Sequence, residues 1–254
     1  MSLTQRRDLY LRSQGEALLG DRVVVTALRS GWAKVAVPSQ PTPLDRRGYP
    51  GWIPARQLTP RSPSVTAQIA TVVIRTTWLS SDAANSRRTI EISLATDLPV
   101  LGRAGAMIRV VTPSGMVQRV PVSAVVVHTR GTPALPLSGA DVVRTAKLLL
   151  EVQYLWGGVS GFGVDCSGLT WLDYRVHGEV IPRDAEPQYR AGRSTSTPAP
   201  GDLLFYASGG GVHHVSIFLG DGMMLHAPST GQPVRITSFS EQPLRREYVG
   251  ARRF

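Results

Sequence analysis

The sequence predicts an α+β protein, with a β-rich first half and a second half that begins with helices and ends with strands. Three observations support this fold class. In residues 1–130, short β-branched runs alternate with clusters of Gly, Pro, Ser and Asn. After residue 138, apolar residues first recur at helical spacing and then alternate as in strands. Between the two halves, residues 131–136 (Gly-Thr-Pro-Ala-Leu-Pro) have the composition of a linker.

Composition and charge exclude several classes of protein. With 42% hydrophobic and 18% charged residues the chain can bury a core, so disorder is excluded as its main state. The net charge of +10 lies in residues 1–139, which hold 17 Lys+Arg against 7 Asp+Glu, whereas residues 140–254 hold 11 of each. No apolar run approaches the roughly 18–20 residues that span a membrane. Charged residues interrupt the first 20 positions, so no signal peptide is expected and we predict a soluble chain.

The first half contains strand runs and a faint internal repeat. The runs cover residues 23–26, 72–77, 108–112 and 120–127. The repeat ends each time in an apolar residue, Pro, three residues and another apolar residue, first from Ile53 to Leu58 and then from Val120 to Val125. Repeats of this size suggest two small β-barrels in tandem, with about five short strands each.

The second half changes period. Val142, Val143, Ala146, Leu149 and Leu150 lie at helical spacing, with Ser138 or Asp141 available as the N-cap. A second helix is predicted to begin at Cys166 and to stop before Gly178. Strands are then predicted at residues 203–206, 214–219, 223–226 and 234–236.

Cys166, the single cysteine, is a candidate nucleophile. It follows four glycines in residues 157–163 and stands where a helix should begin. The partial positive charge of a helix N-terminus favours the reactive thiolate, and glycines let a substrate backbone come close. The alternative is a buried, inert thiol. One cysteine excludes a disulfide framework, a cysteine zinc site and an iron–sulfur cluster, and we expect no metal and no cofactor.

Two histidines supply the base that a nucleophilic cysteine needs and an orienting partner for it. His214 begins one predicted strand and His226 ends the next, with residues 220–222 (Gly-Asp-Gly) as the turn. A hairpin about this turn places the two imidazoles nearly opposite each other on one face. His213 should point to the other face, toward solvent.

Four ordered motifs carry a family resemblance. They are Tyr-Leu-Trp-Gly-Gly at 154–158 leading to Asp-Cys-Ser-Gly-Leu at 165–169, Pro-Gly-Asp-Leu-Leu-Phe at 200–205, His-Val-Ser-Ile-Phe-Leu-Gly at 214–220 and His-Ala-Pro at 226–228. Over about residues 140–250 the chain resembles the NlpC family of papain-like cysteine peptidases, which act on bacterial cell-wall peptides. The resemblance implies Cys166 as nucleophile, His214 as general base and His226 as the orienting residue. Two positions depart mildly from the family pattern. Ser216 stands where Gly or Ala is usual, and Phe218 stands where Tyr is common.

The first half is similar to the bacterial SH3-like modules that precede such domains. Residues 48–58 (Gly-Tyr-Pro-Gly-Trp-Ile-Pro-Ala-Arg-Gln-Leu) resemble the end of the first module in the γ-D-glutamyl-L-diamino-acid endopeptidases. We therefore expect one SH3-like β-barrel at residues 1–60, a second at 61–132 and the catalytic domain at 138–254. The resemblance also places Tyr49, in a Pro-rich insertion at 38–50, against the active site.

This subgroup cuts peptides with a free N-terminal L-Ala, so a carboxylate and hydrogen-bond acceptors should read the amine. Asp165 is the nearest carboxylate, unless it is only a helix N-cap, and Ser167 and Tyr154 can add hydroxyls. Tyr154 could also stabilise the oxyanion together with the backbone N–H of Cys166. Three further residues are candidates to bind the substrate: Glu16, Tyr49 and Asp184. The first two, Glu16 and Tyr49, could equally be solvated surface residues. Arg183 is the nearest candidate to bind substrate carboxylates.

The sequence thus predicts a cysteine endopeptidase that cleaves the γ-D-Glu–diamino acid bond of murein peptides, in peptidoglycan recycling or turnover. Two alternatives remain open: a hydrolase of intact cell wall, and a cell-wall binding protein without activity. We expect a monomer that binds no nucleic acid, because no helix clusters Arg with aromatic residues. The preferred diamino acid and the cellular location, cytoplasmic or exported, stay undetermined.

Overall fold

The N-terminal part of the protein is a short helix followed by a three-stranded antiparallel sheet. The structure is a computed structural model that describes residues 1–60, 66–83 and 86–254, so the expected start of a second module at residue 61 lies outside the described residues. Its elements are α1 (Leu3–Asp8), β1 (Val24–Arg29), β2 (Trp32–Val37) and β3 (Tyr49–Pro54). Ala33 and Val35 are buried while Trp32 and Lys34 are exposed, which is the period of a half-buried strand. The sheet has three strands where about five were expected.

The second module is a seven-stranded antiparallel sheet around one apolar core that includes Leu79, Val110 and Val120. Its strands are β4 (Gln68–Val72), β5 (Thr76–Ser81), β6 (Arg88–Ser93), β7 (Asp97–Ala104), β8 (Met107–Val111), β9 (Val117–Pro121) and β10 (Val125–Thr129), in the order β10-β4-β7-β8-β9-β5-β6. Two predicted runs are wrong as single strands. Residues 72–77 contain the break between β4 and β5, and a 3₁₀ turn interrupts residues 120–127.

The two copies of the sequence repeat adopt the same local structure, a strand that ends in proline and leads into a 3₁₀ turn. Pro54 ends β3 and leads into a 3₁₀ turn at Ala55–Gln57, and Pro121 ends β9 and leads into a 3₁₀ turn at Val122–Ala124. Proline fixes φ and lacks an N–H, so it can end a strand and open a tight turn without losing a ladder hydrogen bond. The apolar residue after each turn, Leu58 or Val125, then returns to extended backbone.

The C-terminal domain packs helices against a six-stranded antiparallel sheet. Its elements are α2 (Gly139–Lys147), β11 (Val159–Ser160), β12 (Gly163–Val164), α3 (Cys166–Val176), α4 (Ala185–Ala191), β13 (Arg193–Thr195), β14 (Leu203–Ser208), β15 (Gly211–Gly220), β16 (Met223–His226), β17 (Arg235–Ser238), α5 (Leu244–Glu247) and β18 (Tyr248–Arg253). The main sheet has the order β13-β18-β14-β15-β16-β17, and α3 packs on β15. The predicted helix-then-strand order is confirmed.

Helix α3 is the central helix of this domain. Ten of its 11 residues are buried, Arg175 being the one that is not. Gly178, in a left-handed conformation with φ of +80°, follows it as predicted. Helix α2 is capped by Ser138, whose side chain accepts from the Asp141 backbone N–H. In the described part of the chain, no helix has the length and apolar character needed to cross a membrane.

Both N-terminal modules pack against the catalytic domain. The Trp171 indole N–H donates to the Ser39 carbonyl at 3.1 Å, and the Gly161 backbone N–H donates to the Ser93 hydroxyl at 2.8 Å. Leu18 and Leu94 belong to the same apolar core as the catalytic domain. A side chain at position 161 would lie 2.2 Å from the Arg75 carbonyl oxygen, so glycine permits this close approach.

Candidate active site

Cys166 is the first residue of α3, and Asp165 is its N-cap. The Asp165 carboxylate accepts from the Gly168 backbone N–H at 2.7 Å, which satisfies one free donor of the first turn. A Cβ on Gly168 would lie 2.0 Å from the Gly158 carbonyl oxygen, so the helix can seat on the Gly157–Gly158 turn because residue 168 is glycine. The thiol is consequently held in a fixed, largely buried position.

His214 and His226 form the predicted pair. Nε2 of His214 lies 2.9 Å from Nδ1 of His226, and the rings are nearly perpendicular at 82°. Both side chains are buried, whereas His213 is exposed and pairs with Glu247 at 3.2 Å. The expectation that 214 and 226 are nearly opposite is slightly wrong. Ile217 pairs with Leu225, so the two histidines are diagonal neighbours, which long side chains can still bridge.

The nucleophile and the histidine pair meet where α3 packs on β15. The backbone amide of Val215, the residue after His214, lowers the pKa of the Cys166 thiol through a hydrogen bond. The sulfur therefore lies next to the part of β15 that contains His214 and Val215. A helix N-terminus and a sheet strand, far apart in sequence, thus bring together a thiol and an imidazole, the two groups that a cysteine nucleophile and its base would need.

Burial controls the charge state of these groups. It raises the pKa of Cys166 to about 12, helped by the neighbouring Asp165 carboxylate. Burial, followed by His226 and His213, lowers the pKa of His214 to about 3. Burial thus opposes the helix N-terminus, whose Ser167 backbone N–H lowers the pKa of the thiol. Desolvation of a buried charge shifts the thiol and the imidazole toward their neutral forms. That the helix N-terminus favours the thiolate stays a prediction.

Arg183 is buried and binds Asp165 through two hydrogen bonds. Nη2 donates to Oδ2 at 2.6 Å, and Nη1 donates to Oδ1 at 3.0 Å and to the Ser167 hydroxyl at 3.1 Å. Burial alone would lower the pKa of Arg183, but Asp165 outweighs it and the pKa is raised. With this guanidinium 1% exposed and engaged with Asp165, it is not available to a substrate carboxylate, contrary to the expectation.

The Pro-rich insertion of the first module reaches this cluster. The Tyr49 hydroxyl donates to Asp184 Oδ1 at 3.3 Å, and the Tyr49 ring lies 5.9 Å from the Arg183 guanidinium carbon. The Pro41 carbonyl accepts from the Arg183 backbone N–H at 2.9 Å. Burial and the Asp184 charge raise the pKa of Tyr49 to about 12. The structure thus brings Tyr49 and Asp184 together next to the Asp165–Arg183 pair.

Glu16 joins the site from the segment before β1. Its carboxylate accepts from the Val159 backbone N–H at 3.0 Å, and the Gln40 amide donates to its carbonyl at 2.7 Å. Burial raises the pKa of Glu16. A surface role for Glu16 is therefore excluded, and the side chain bridges the first module and the catalytic domain.

Tyr154 and Ser167 are also next to the nucleophile. Tyr154 is 6% exposed, and its pKa is raised by burial and then by Cys166. Ser167 donates to Asp165 Oδ1 at 3.3 Å. Sequence reasoning missed Tyr10, whose ring packs edge-on against Trp156 with centroids 4.7 Å apart while half of the side chain stays exposed. Tyr10 lies in an N-terminal segment that contains no motif, so the sequence did not identify it as a candidate.

A second feature that the sequence did not reveal lies next to His226. Arg235 is the cross-strand partner of His226, and its Nη2 donates to Glu241 Oε1 at 2.8 Å. In the described ranges, no group of three or more His, Cys, Asp and Glu side chains could hold a metal ion.

A cysteine at a helix N-terminus beside a histidine pair on the adjoining sheet defines the class of cysteine-nucleophile hydrolases. Residues 151–253 match the NlpC/P60 family, and residues 72–128 match the YKFC SH3b2 domain. The chain is similar to a gamma-D-glutamyl-L-lysine dipeptidyl-peptidase of Bacillus cereus, 35% identical over 100% of this chain and 80% of the relative. A protein of the same name from Bacillus subtilis is 36% identical over 94% of this chain and 80% of its own length.

The crystal structure of an NlpC/P60 family protein from Bacillus cereus matches the whole chain with a TM-score of 0.94 at 34% identity, covering 87% of that protein. The chain belongs to the NlpC/P60 family of cysteine peptidases, with an SH3b part ahead of the catalytic domain. The family, the fold class and the enzyme class expected from the sequence are confirmed.

Proposed function

We propose that the protein hydrolyses the bond between D-Glu and the diamino acid in murein peptides that begin with a free L-Ala. The observation that carries this proposal is the junction between the first module and the catalytic domain, where Tyr49 donates to Asp184 and Glu16 accepts from the Val159 backbone N–H. The names of the two full-length relatives support the bond that is cut.

The proposed reaction begins with the neutral thiol. Nε2 of His214 is engaged with His226, so Nδ1 takes the proton of Cys166 as the sulfur attacks the γ-carbonyl carbon of D-Glu. The Cys166 backbone N–H and the Tyr154 hydroxyl donate to the oxyanion. His214 then protonates the leaving amine as the C–N bond breaks, which leaves a thioester. Water, deprotonated by His214, attacks the thioester and returns the thiol.

Recognition of the free amine is proposed to rest on carboxylates that remain available. The Asp165 carboxylate already accepts from Gly157, Gly168 and Arg183, so its part is to shape the site. Asp184 and Glu16 supply negative charge near by, and burial raises the pKa of both carboxyls. A substrate ammonium lowers these pKa values again, and the free energy gained by pairing favours a peptide with an unblocked N-terminus.

The test compares three substrates: L-Ala-γ-D-Glu-L-Lys, its N-acetylated analogue and intact sacculi. We expect release of lysine from the free tripeptide, at least 100-fold slower release from the N-acetyl peptide, and no release of soluble fragments from sacculi. Cys166→Ala should abolish turnover while leaving the circular dichroism spectrum unchanged. Equal rates on the free and acetylated peptides would refute the amine specificity. Digestion of sacculi would favour the alternative of an intact-wall hydrolase.

A further inference from the structure

Buried polar atoms without a partner gather behind His226. Within the described residues, Nε2 of His226, Nε of Arg235, Oγ1 of Thr237 and Oε2 of Glu241 are shielded from solvent and make no hydrogen bond to the protein. Buried polar atoms are normally hydrogen-bonded, to protein or to an ordered water. These four atoms lie on β16, on β17 and in the turn after β17. Their grouping indicates that the four side chains share one polar contact.

The sheet register explains why they gather there. His226 pairs with Arg235 between β16 and β17, and Thr237 lies two residues further along, on the same face as Arg235. Glu241 is held in the following turn, where its N–H donates to the Ser238 carbonyl and its Oε1 accepts from Arg235. The second carboxylate oxygen is therefore left free toward the interior.

The tautomers of the two histidines decide whether the site can work. His214 must present a bare Nδ1 to the thiol, so its proton must lie on Nε2 and be donated to Nδ1 of His226. His226 then carries its own proton on Nε2, which needs an acceptor. The Nε–H of Arg235 can only donate, whereas the Glu241 carboxylate can only accept. In the opposite tautomer, Nδ1 of His214 is protonated and cannot act as a base.

We propose that Glu241, held by Arg235, is a positioning residue that accepts the Nε2 proton of His226 through one bridging water and thereby fixes the active tautomer of His214. This inference rests on the proposed role of the Cys166–His214 pair. Thr237 lies on the face where its hydroxyl can add a second contact to the water. Burial and then Arg235 lower the pKa of His226, and the Glu241 charge acts in the opposite direction and raises it.

The matched variants are Glu241→Ala, Glu241→Gln and the control Glu247→Ala. Glu247 is a matched carboxylate because it pairs with the exposed His213 at 3.2 Å, whereas Glu241 acts on His226. We expect Glu241→Ala to lower kcat about tenfold with KM unchanged and to move the acid limb of the kcat/KM profile to lower pH. Glu241→Gln keeps an acceptor oxygen and should retain at least a third of kcat. Glu247→Ala should match the wild type.

A second readout is independent of substrate. Histidine ¹⁵N chemical shifts report the tautomer, and the wild type should show His226 protonated on Nε2, with Glu241→Ala shifted toward the Nδ1 form. Unchanged shifts, or a Glu241→Ala variant with the kcat and pH profile of Glu247→Ala, would overturn the inference. If the wild type itself does not cleave the tripeptide, the proposed function fails, and the histidine shifts still decide the tautomer.

Discussion

At the scale of single residues, burial is the dominant physical effect on the nucleophile. The Cys166 thiol sits at a helix N-terminus and accepts from the Val215 amide, yet desolvation raises its pKa to about 12. The same burial lowers the pKa of His214 to about 3. Burial therefore shifts both groups toward their uncharged forms.

Arg183 is the residue on which the local charge balance depends. Arg183→Met keeps the volume but leaves the Asp165 carboxylate buried without its cation, so we expect a loss of about 3–5 kcal/mol in the free energy of unfolding. Urea unfolding at pH 7.5 measures this loss. The control is Arg190→Met. Because Arg190 forms an exposed ion pair with Glu186, its replacement should lower the free energy of unfolding only slightly. Equal stability of the two variants would contradict the central role of the Arg183–Asp165 pair.

At the scale of elements, α3 carries the nucleophile at one end and an ionisable pair at the other. His177 Nδ1 donates to the Pro136 carbonyl at 2.5 Å, which ties the linker to the helix. Asp173, one turn earlier, is fully buried, and its Oδ1 lies 3.4 Å from Nε2 of His177. Burial raises the pKa of Asp173 to about 7.

The raised pKa of Asp173 predicts how the free energy of unfolding depends on pH. Because the folded state holds the Asp173 proton more tightly than the unfolded state, the contribution of this group to stability falls as pH rises from about 4 to 7. Asp173→Asn mimics the protonated form and should gain stability relative to the wild type over that range, by at most about 1.4 kcal/mol per pH unit. Urea midpoints at pH 5 and pH 8 measure the gain.

The control for this prediction is Asp221→Asn, an exposed carboxylate in the β15–β16 turn. Its φ of +50° is one that asparagine also tolerates, so the backbone should not change. A stability difference between Asp173→Asn and the wild type that does not vary with pH would contradict the raised pKa of Asp173.

At the scale of the whole molecule, the first module contributes part of the candidate site. Tyr49→Phe removes the hydroxyl that donates to Asp184, so we expect KM for the free tripeptide to rise about tenfold while kcat stays within twofold. Trp52→Phe, an exposed position on the same strand, is the matched control and should leave both constants unchanged. A change in kcat alone for Tyr49→Phe would argue against a role in binding the substrate amine.

Sequence reasoning predicted the elements of the catalytic domain well because their signals are local. A cap at Ser138, a helix start at Cys166 and a Gly-Asp-Gly hairpin turn each depend on a few neighbouring residues. The first half was harder. A 3₁₀ turn after Pro121 splits what reads as one β-branched run, since the run has the same apolar composition on both sides of the break.

The sequence by itself was enough to predict the family and the α+β class, both of which are confirmed, because local motifs carry the resemblance. The same motifs point to Cys166, His214 and His226 as the catalytic candidates. Only the tertiary structure decided the charge states, since burial depends on what packs around a group. It also decided the partners of Arg183, which come from α3 and from the first module, and the position of Glu241 behind His226. Such contacts join segments far apart in the chain, and no local pattern encodes them.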